Sequence, residues 1–276
     1  MRELFERCLK AHYVRTPESG DYAIEVDGDT LYLLFQKSNG KQDWKNNFDF
    51  PARPYKRMNS KWYCHRGFLR VWKAMRDEVE KNVATWLPYI TSICCVGYSH
   101  GAALALLATE DMVFLHGDKL HVEGWGFGCP RVVWGILPKD VKQRLCNFTA
   151  VRNIPDIVTH APPALFGFHH IKLLRVGNFG KYSPVDAHRA KSYLNELNKE
   201  GGDTMKIDWK RKLTSRKFWI SLAAFVSGLI IAFRGDAQTA ETVSGCIMSA
   251  ASVIAYAIGE GLADSSNSDN NNKNNK

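Results

Sequence analysis

The spacing of apolar and polar positions changes several times along this chain of 276 residues. Its opening, MRELFERCLKAHYV, interleaves charged and apolar side chains at helical spacing. YAIEV and LYLLF then flank Asp27-Gly28-Asp29, the signal of a β-hairpin. From there to about Cys64 the chain reads as loop. In HRGFLRVWKAMRDEVEKNVATWL the residues Phe68, Val71, Trp72, Met75, Val79 and Val83 share one helical face, a stripe expected in the core rather than at a cofactor. ICCV, HVEGWGF and NFTAVRN read as strands separated by helical segments, and such alternation predicts an α/β domain with a mostly parallel sheet over residues 1–200.

The texture changes at Gly201-Gly202. A basic cluster, Lys206, Lys210, Arg211, Lys212, Arg216 and Lys217, precedes the uncharged runs 218–233 and 243–259, joined by RGDAQTAET. Each run is slightly short of the ~20 residues that span a bilayer, but Arg216, Lys217, Trp219 and Arg234 can reach the interface. Residues 201–264 are therefore expected to form a two-helix transmembrane hairpin. The alternative, a hairpin packed on the catalytic domain, would need a polar face that neither run offers. Small residues four apart, Ala224 with Gly228 and Gly245 with Ser249, would allow close helix approach and homo-oligomers through the hairpin. The tail 265–276, SNSDNNNKNNK preceded by Ser265, is expected to be disordered.

Composition narrows the partners. With 37 Lys and Arg against 28 Asp and Glu the net charge is +9, and the densest basic cluster abuts an apolar run. That placement points to a membrane surface and not to nucleic acid. The seven cysteines are odd in number and lack paired C-x-x-C spacing, so neither a zinc site nor a disulfide framework is suggested; no other metal and no cofactor is expected. The N-terminus lacks the uninterrupted apolar core of an export signal, and reduced thiols fit a cytosolic catalytic domain.

The strongest chemical signal is ICCVGYSHGAALA, residues 93–105. An apolar strand runs into Gly97-Tyr98-Ser99-His100-Gly101 and then into small, apolar helical residues, the strand-turn-helix context of a nucleophile elbow. Ser99 needs a base, and the base an acid, in the order Ser, Asp, His. Asp156, just after the strand NFTAVRN, suits the acid, whereas Asp111, Asp118 and Asp140 fall in helical or turn segments and are expected to be solvated. His160 lies too near Asp156 in sequence, which leaves His169, His170 and His188. His188, on a loop leading into an amphipathic helix, is favoured. His169 and His170 begin the apparent strand IKLLRV, where a structural histidine is the ordinary reading.

Residues 20–200 also resemble the class 3 lipase family of the α/β-hydrolases. LYLLFQKS is similar to that family's strand ending in Phe-Arg-Gly-Ser or Thr, QDWKNNFDF to its lid segment, and CHRGF to its His-x-Gly-Phe. GYSHG, FGCPRV, NIPDIVTHAPP and DAHRAKSYL follow in the family's order. The resemblance implies an α/β-hydrolase fold, Ser99 as nucleophile, Asp156 as acid and His188 as base. It also implies an oxyanion hole from the backbone N–H groups of Ser38 and His100. Gln36-Lys37 stands where the family has Arg-Gly, and His100 where it has an apolar residue; the latter is either a surface histidine or a determinant of acyl-chain selectivity. Trp44, Phe48 and Phe50 on the lid-like segment would meet a bilayer with Lys41 and Lys45, or pack on the body.

Residues 205–264, from MKIDWKRKLTSRKFW onward, resemble a phage holin. Together the two resemblances imply a membrane-anchored serine lipase or phospholipase acting on membrane glycerolipids. By the positive-inside rule its catalytic domain would face the cytoplasm at a host inner membrane. The alternatives are a membrane-permeabilising protein with a regulatory lipase-like domain, and a tethered esterase for soluble esters.

Overall fold

A computed structural model describes residues 1–14, 20–36, 49, 51–57 and 60–198. The chain divides at Asp203, and all described residues lie in the first unit. The expected membrane hairpin and the tail fall outside them, as do Ser38, Lys41, Trp44, Lys45, Phe48 and Phe50. Among the described residues no helix is long and apolar enough to cross a membrane.

Helix α1 (Arg2–Lys10) precedes the hairpin β1 (Tyr22–Asp27) and β2 (Thr30–Phe35), which turns at Gly28 as its sequence predicts. After β3 (Ala52–Arg57) and β4 (Ser60–His65) come α2 (Arg66–Ala84), β5 (Ser92–Tyr98), α3 (His100–His116) and β6 (His121–Phe127). The rest of the unit comprises β7 (Val133–Trp134), α4 (Lys139–Leu145), β8 (Phe148–Asn153), β9 (Phe168–His169), β10 (Leu173–Val176) and α5 (Ala190–Leu197). The main sheet has the order β1-β2-β5-β6-β8-β10, antiparallel only between β1 and β2. A mostly parallel sheet with crossover helices is what the alternation of elements predicts, and it agrees with the α/β-hydrolase fold that the resemblance implies.

Burial explains why β5 is central. Ile93 and Cys95 join the core beneath α2 and α3, while Cys94 and Val96 join the opposite core with Phe5, Cys8 and Tyr193 from α1 and α5. A strand covered on both faces reads as a continuous apolar run, and ICCV is one. The predicted α2 stripe is buried in full. Helix α3 is apolar nearly all round and buried from His100 to Met112, a helix enclosed by the fold rather than lying on its surface. Cys8, Cys64, Cys94, Cys95, Cys129 and Cys146 are free thiols.

Two sequence expectations require correction. The supposed loop before Cys64 contains β3 and β4, which form a second, antiparallel sheet of order β3-β4-β7-β9. Asp111 is not solvated but fully buried on α3, where it accepts from the Tyr55 hydroxyl at 2.5 Å and the Trp72 indole N–H at 2.8 Å. Donors from β3 and α2 thus converge on Oδ2 and tie the second sheet to the helical layer, so that this buried acid is held by hydrogen bonds from two elements. Its neighbour Glu110 accepts from Arg144 at 2.7 Å.

Candidate active site

The elbow forms where β5 meets α3. Ser99 has φ 57° and ψ −119°, and it is the one non-glycine with positive φ among the described residues. Such a conformation costs of order 1–3 kcal/mol and persists only where its surroundings over-determine it. Here the surroundings are glycines and close backbone. A Cβ on Gly97 would stand 2.1 Å from the carbonyl oxygen of Gly101, and one on Gly101 would stand 2.2 Å from that of Phe35. The elbow therefore closes only because both positions lack side chains.

The elbow lifts Ser99 toward His188. Its Oγ lies 2.8 Å from His188 Nε2, and His188 Nδ1 lies 2.8 Å from Asp156 Oδ2. With the imidazole proton on Nδ1, Nε2 accepts from the serine hydroxyl. Asp156 is fully buried just beyond β8, and His188 is on the 3-10 turn Asp186–His188 before α5. Residues 89 positions apart in sequence are joined by one hydrogen bond. The structure thus brings together Ser99, Asp156 and His188 as the sequence predicts; Ser38 is outside the described residues.

Several residues that the sequence reading passed over hold the triad. Tyr193 of α5 donates its hydroxyl to Asp156 Oδ2 at 2.6 Å and accepts from the Asn153 N–H at 3.0 Å. The Val158 N–H donates to the other oxygen, Asp156 Oδ1, at 2.9 Å. The Tyr98 hydroxyl donates to the His188 carbonyl, and its ring stacks on the imidazole at 5.5 Å. Asn153 donates through Nδ2 to the Ala187 carbonyl at 3.0 Å. Gly128, with φ +61°, leaves the room: a Cβ there would stand 2.9 Å from His188 Cε1 and 3.3 Å from Asp156 Oδ2. The only sequence signal for Tyr193 was its position on the amphipathic face five residues after His188.

Tyr193→Phe removes one donor to the acid without altering shape. A loss of about tenfold in kcat is expected, with KM nearly constant, because the acid then holds the His188 ring less firmly for proton transfer. A variant that lost stability but kept the wild-type kcat would make Tyr193 merely structural.

His100 opens α3, so its N–H is among the first-turn donors that a helix cannot satisfy internally, placed beside Ser99 where an oxyanion would form. Its side chain is not on the surface. The ring is buried against the edge of Phe68, at 5.3 Å between centroids. Phe68 in turn stacks on His65 at 4.0 Å. Burial pushes the His100 pKa down to about 4.

His170 is half-buried; desolvation pushes it down to about 4 as well, and it shares the Thr159 carbonyl with Arg152, each at 3.0 Å. Arg131 donates to the carbonyls of His160 and Pro162, so guanidinium groups and His170 pin the turn that follows Asp156. His169 lies on β9. Both depressed imidazoles bind protons less readily folded than unfolded. Their stabilisation is complete above the ordinary value of 6.5 and is lost as pH falls toward 4. Urea midpoints should therefore decline between pH 6.5 and 4; His100→Phe should flatten part of that decline.

No cluster that could hold a metal ion occurs among the described residues. An elbow serine, a histidine and a buried aspartate on the edge of a parallel sheet define a serine-hydrolase centre on an α/β-hydrolase fold. Residues 32–166 match the family described as Lipase (class 3). A curated relative, the lipase of Rhizomucor miehei, is 28% identical over 147 residues, which cover 51% of this chain and 40% of that protein. The match therefore spans well under two thirds of the relative's length. Among solved structures, a mutant form of MDLA from Penicillium cyclopium has a TM-score of 0.50 at 21% identity, covering 64% of this chain and 67% of that one, and shares the fold. The triacylglyceride lipase of Rhizomucor miehei has a TM-score of 0.48 at 22% identity, covering 60% and 66%.

Proposed function

We propose that the chain hydrolyses ester bonds of membrane glycerolipids through an acyl-enzyme on Ser99. The observation that carries this reading is the continuous chain of hydrogen bonds Ser99–His188–Asp156 on an elbow within the lipase-matching segment. In the acylation step Oγ attacks the ester carbonyl as Nε2 of His188 takes its proton, and Asp156 stabilises the imidazolium. Negative charge builds on the carbonyl oxygen near the N–H of His100. Collapse expels the glycerol oxygen, which receives the proton from Nε2. Water then repeats the sequence in reverse roles and releases the fatty acid.

The lipid substrate is inferred from the family match together with the basic cluster and the apolar runs at 218–233 and 243–259. As membrane spans, those runs would hold the enzyme at its substrate, with the positive-inside bias placing the catalytic domain on the cytoplasmic side of a host inner membrane. The holin-like pattern of 205–264 further suggests a part in breaching that membrane during phage lysis.

The test is free fatty acid release from glycerophospholipid vesicles by the full chain, beside turnover of a monomeric p-nitrophenyl ester. Fatty acid and lysolipid are expected. Turnover of the monomeric ester with no attack on vesicles would instead mark a tethered esterase, and absence of both would remove the hydrolase reading.

A further inference from the structure

We propose that the outer surface around Trp134 docks on an anionic lipid bilayer. Trp134 of β7 lies edge-on to Tyr63 of β4, 5.6 Å between ring centroids, and the Lys61 ammonium is 5.3 Å from the centre of the Tyr63 ring. Lys56 faces Lys61 across the β3–β4 pairing. The Trp134 indole N–H donates to the Phe166 carbonyl at 2.7 Å, and the Gly135 N–H donates to that of Gly167 at 3.1 Å. These two bonds set the chain after Trp134 beside the turn at 164–167. From these two segments project Ile136, 98% exposed, and Leu165, 90% exposed, next to Trp134 at 37%.

Chemistry selects the occupant. Two aliphatic side chains this exposed stand clear of the surface, so a partner of fixed shape would need two matched pockets, whereas the interfacial layer of a bilayer deforms around them. Trp and Tyr favour the headgroup level, where an apolar ring and a polar edge are both satisfied. The lysines would lie over anionic headgroups. The next acid along the chain, Asp140, is bonded to Arg144 at 3.2 Å and does not offset them.

The inference deepens the lipid-substrate reading and takes its purpose from it, but the contact itself requires no turnover. It can therefore be tested in the full chain carrying Ser99→Ala, by tryptophan quenching with vesicles of brominated phosphatidylcholine, with or without phosphatidylglycerol. Quenching is expected to fall when Trp134→Phe is added, and the Trp134-dependent part should drop about threefold or more with Ile136→Asp and Leu165→Asp together. Lys56→Glu with Lys61→Glu should reduce it only on vesicles containing phosphatidylglycerol.

Equal quenching with and without Trp134 would overturn the proposal. So would an Ile136→Asp, Leu165→Asp protein that turns from dimer to monomer in gel filtration while its quenching is unchanged, since the surface would then bind a second copy. The aliphatic pair carries the test if Trp134→Phe perturbs folding. Fatty acid release by the wild-type chain, scored separately, reports on the hydrolase reading alone.

Discussion

Ser99→Ala is expected to lower ester turnover by about 100,000-fold or more and to abolish labelling by a fluorophosphonate, while the melting temperature stays within a degree or two. Alanine keeps the Cβ and so the elbow's backbone; it removes only the oxygen that attacks. His188→Ala should be as damaging, and the double variant no worse than either single one, because a nucleophile and its base act as a unit. His170→Ala leaves the Ser99–His188 bond intact and should reduce turnover far less, chiefly through looser packing of the turn after Asp156. Activity measured on a monomeric ester, away from any lipid effect, separates these outcomes. An active His188→Ala beside an inactive His170→Ala would reassign the base.

Gly101→Ala is expected to have the largest effect on folding. Its methyl group would have to enter the space of the Phe35 and Gln36 carbonyl oxygens, at 2.2 and 2.4 Å. Neither can yield without shifting the end of β2 from its pairing with β5, in which Phe35 sits opposite Gly97. A loss on the order of 4 kcal/mol or more is expected, in the exceptional range for one substitution, with activity lost too. Gly28→Ala is the control: φ is +61° there, but nothing lies within 4 Å of the added carbon. Only backbone strain remains, about 1–2 kcal/mol. Urea denaturation of the two variants compares a steric cost with a conformational one, and similar midpoints would contradict the close approach described for the elbow.

The elbow was legible because everything that makes it is local: an apolar strand, two glycines and a helix of small residues within thirteen positions. Asp156 and His188 were legible because each follows a chain-order rule, Asp156 in a loop just after a recognisable strand and His188 just before a recognisable amphipathic helix. Longer-range contacts left no such trace. The second sheet escaped because β7 and β9 have two residues each, too few for any period, while ARPYKR and SKWYCH mix proline, charge and aromatics. Asp111 was misjudged because its donors, Tyr55 and Trp72, lie 56 and 39 positions away. His100 was misjudged because a helix enclosed on every side carries no polar face by which an outward residue could be told from an inward one.

The nucleophile and its base are mounted on very different ground. Ser99 joins β5 to α3, whose amides lie in the middle of the core and should exchange with solvent only when the whole unit unfolds. His188 sits in a mostly exposed stretch, 177–189, tied to the body by bonds from Tyr98 and Asn153, by Lys181 and Tyr182 to Glu196, and by the Ile157 N–H to the Pro184 carbonyl, with a turn closed by Ser183 and Asp186. Sub-global opening of that stretch would withdraw the imidazole while sheet and elbow remain intact. Such opening would make the fraction of molecules able to react depend on the stability of about a dozen residues, and a contact that clamps or frees that segment would then change reactivity without any change in the fold.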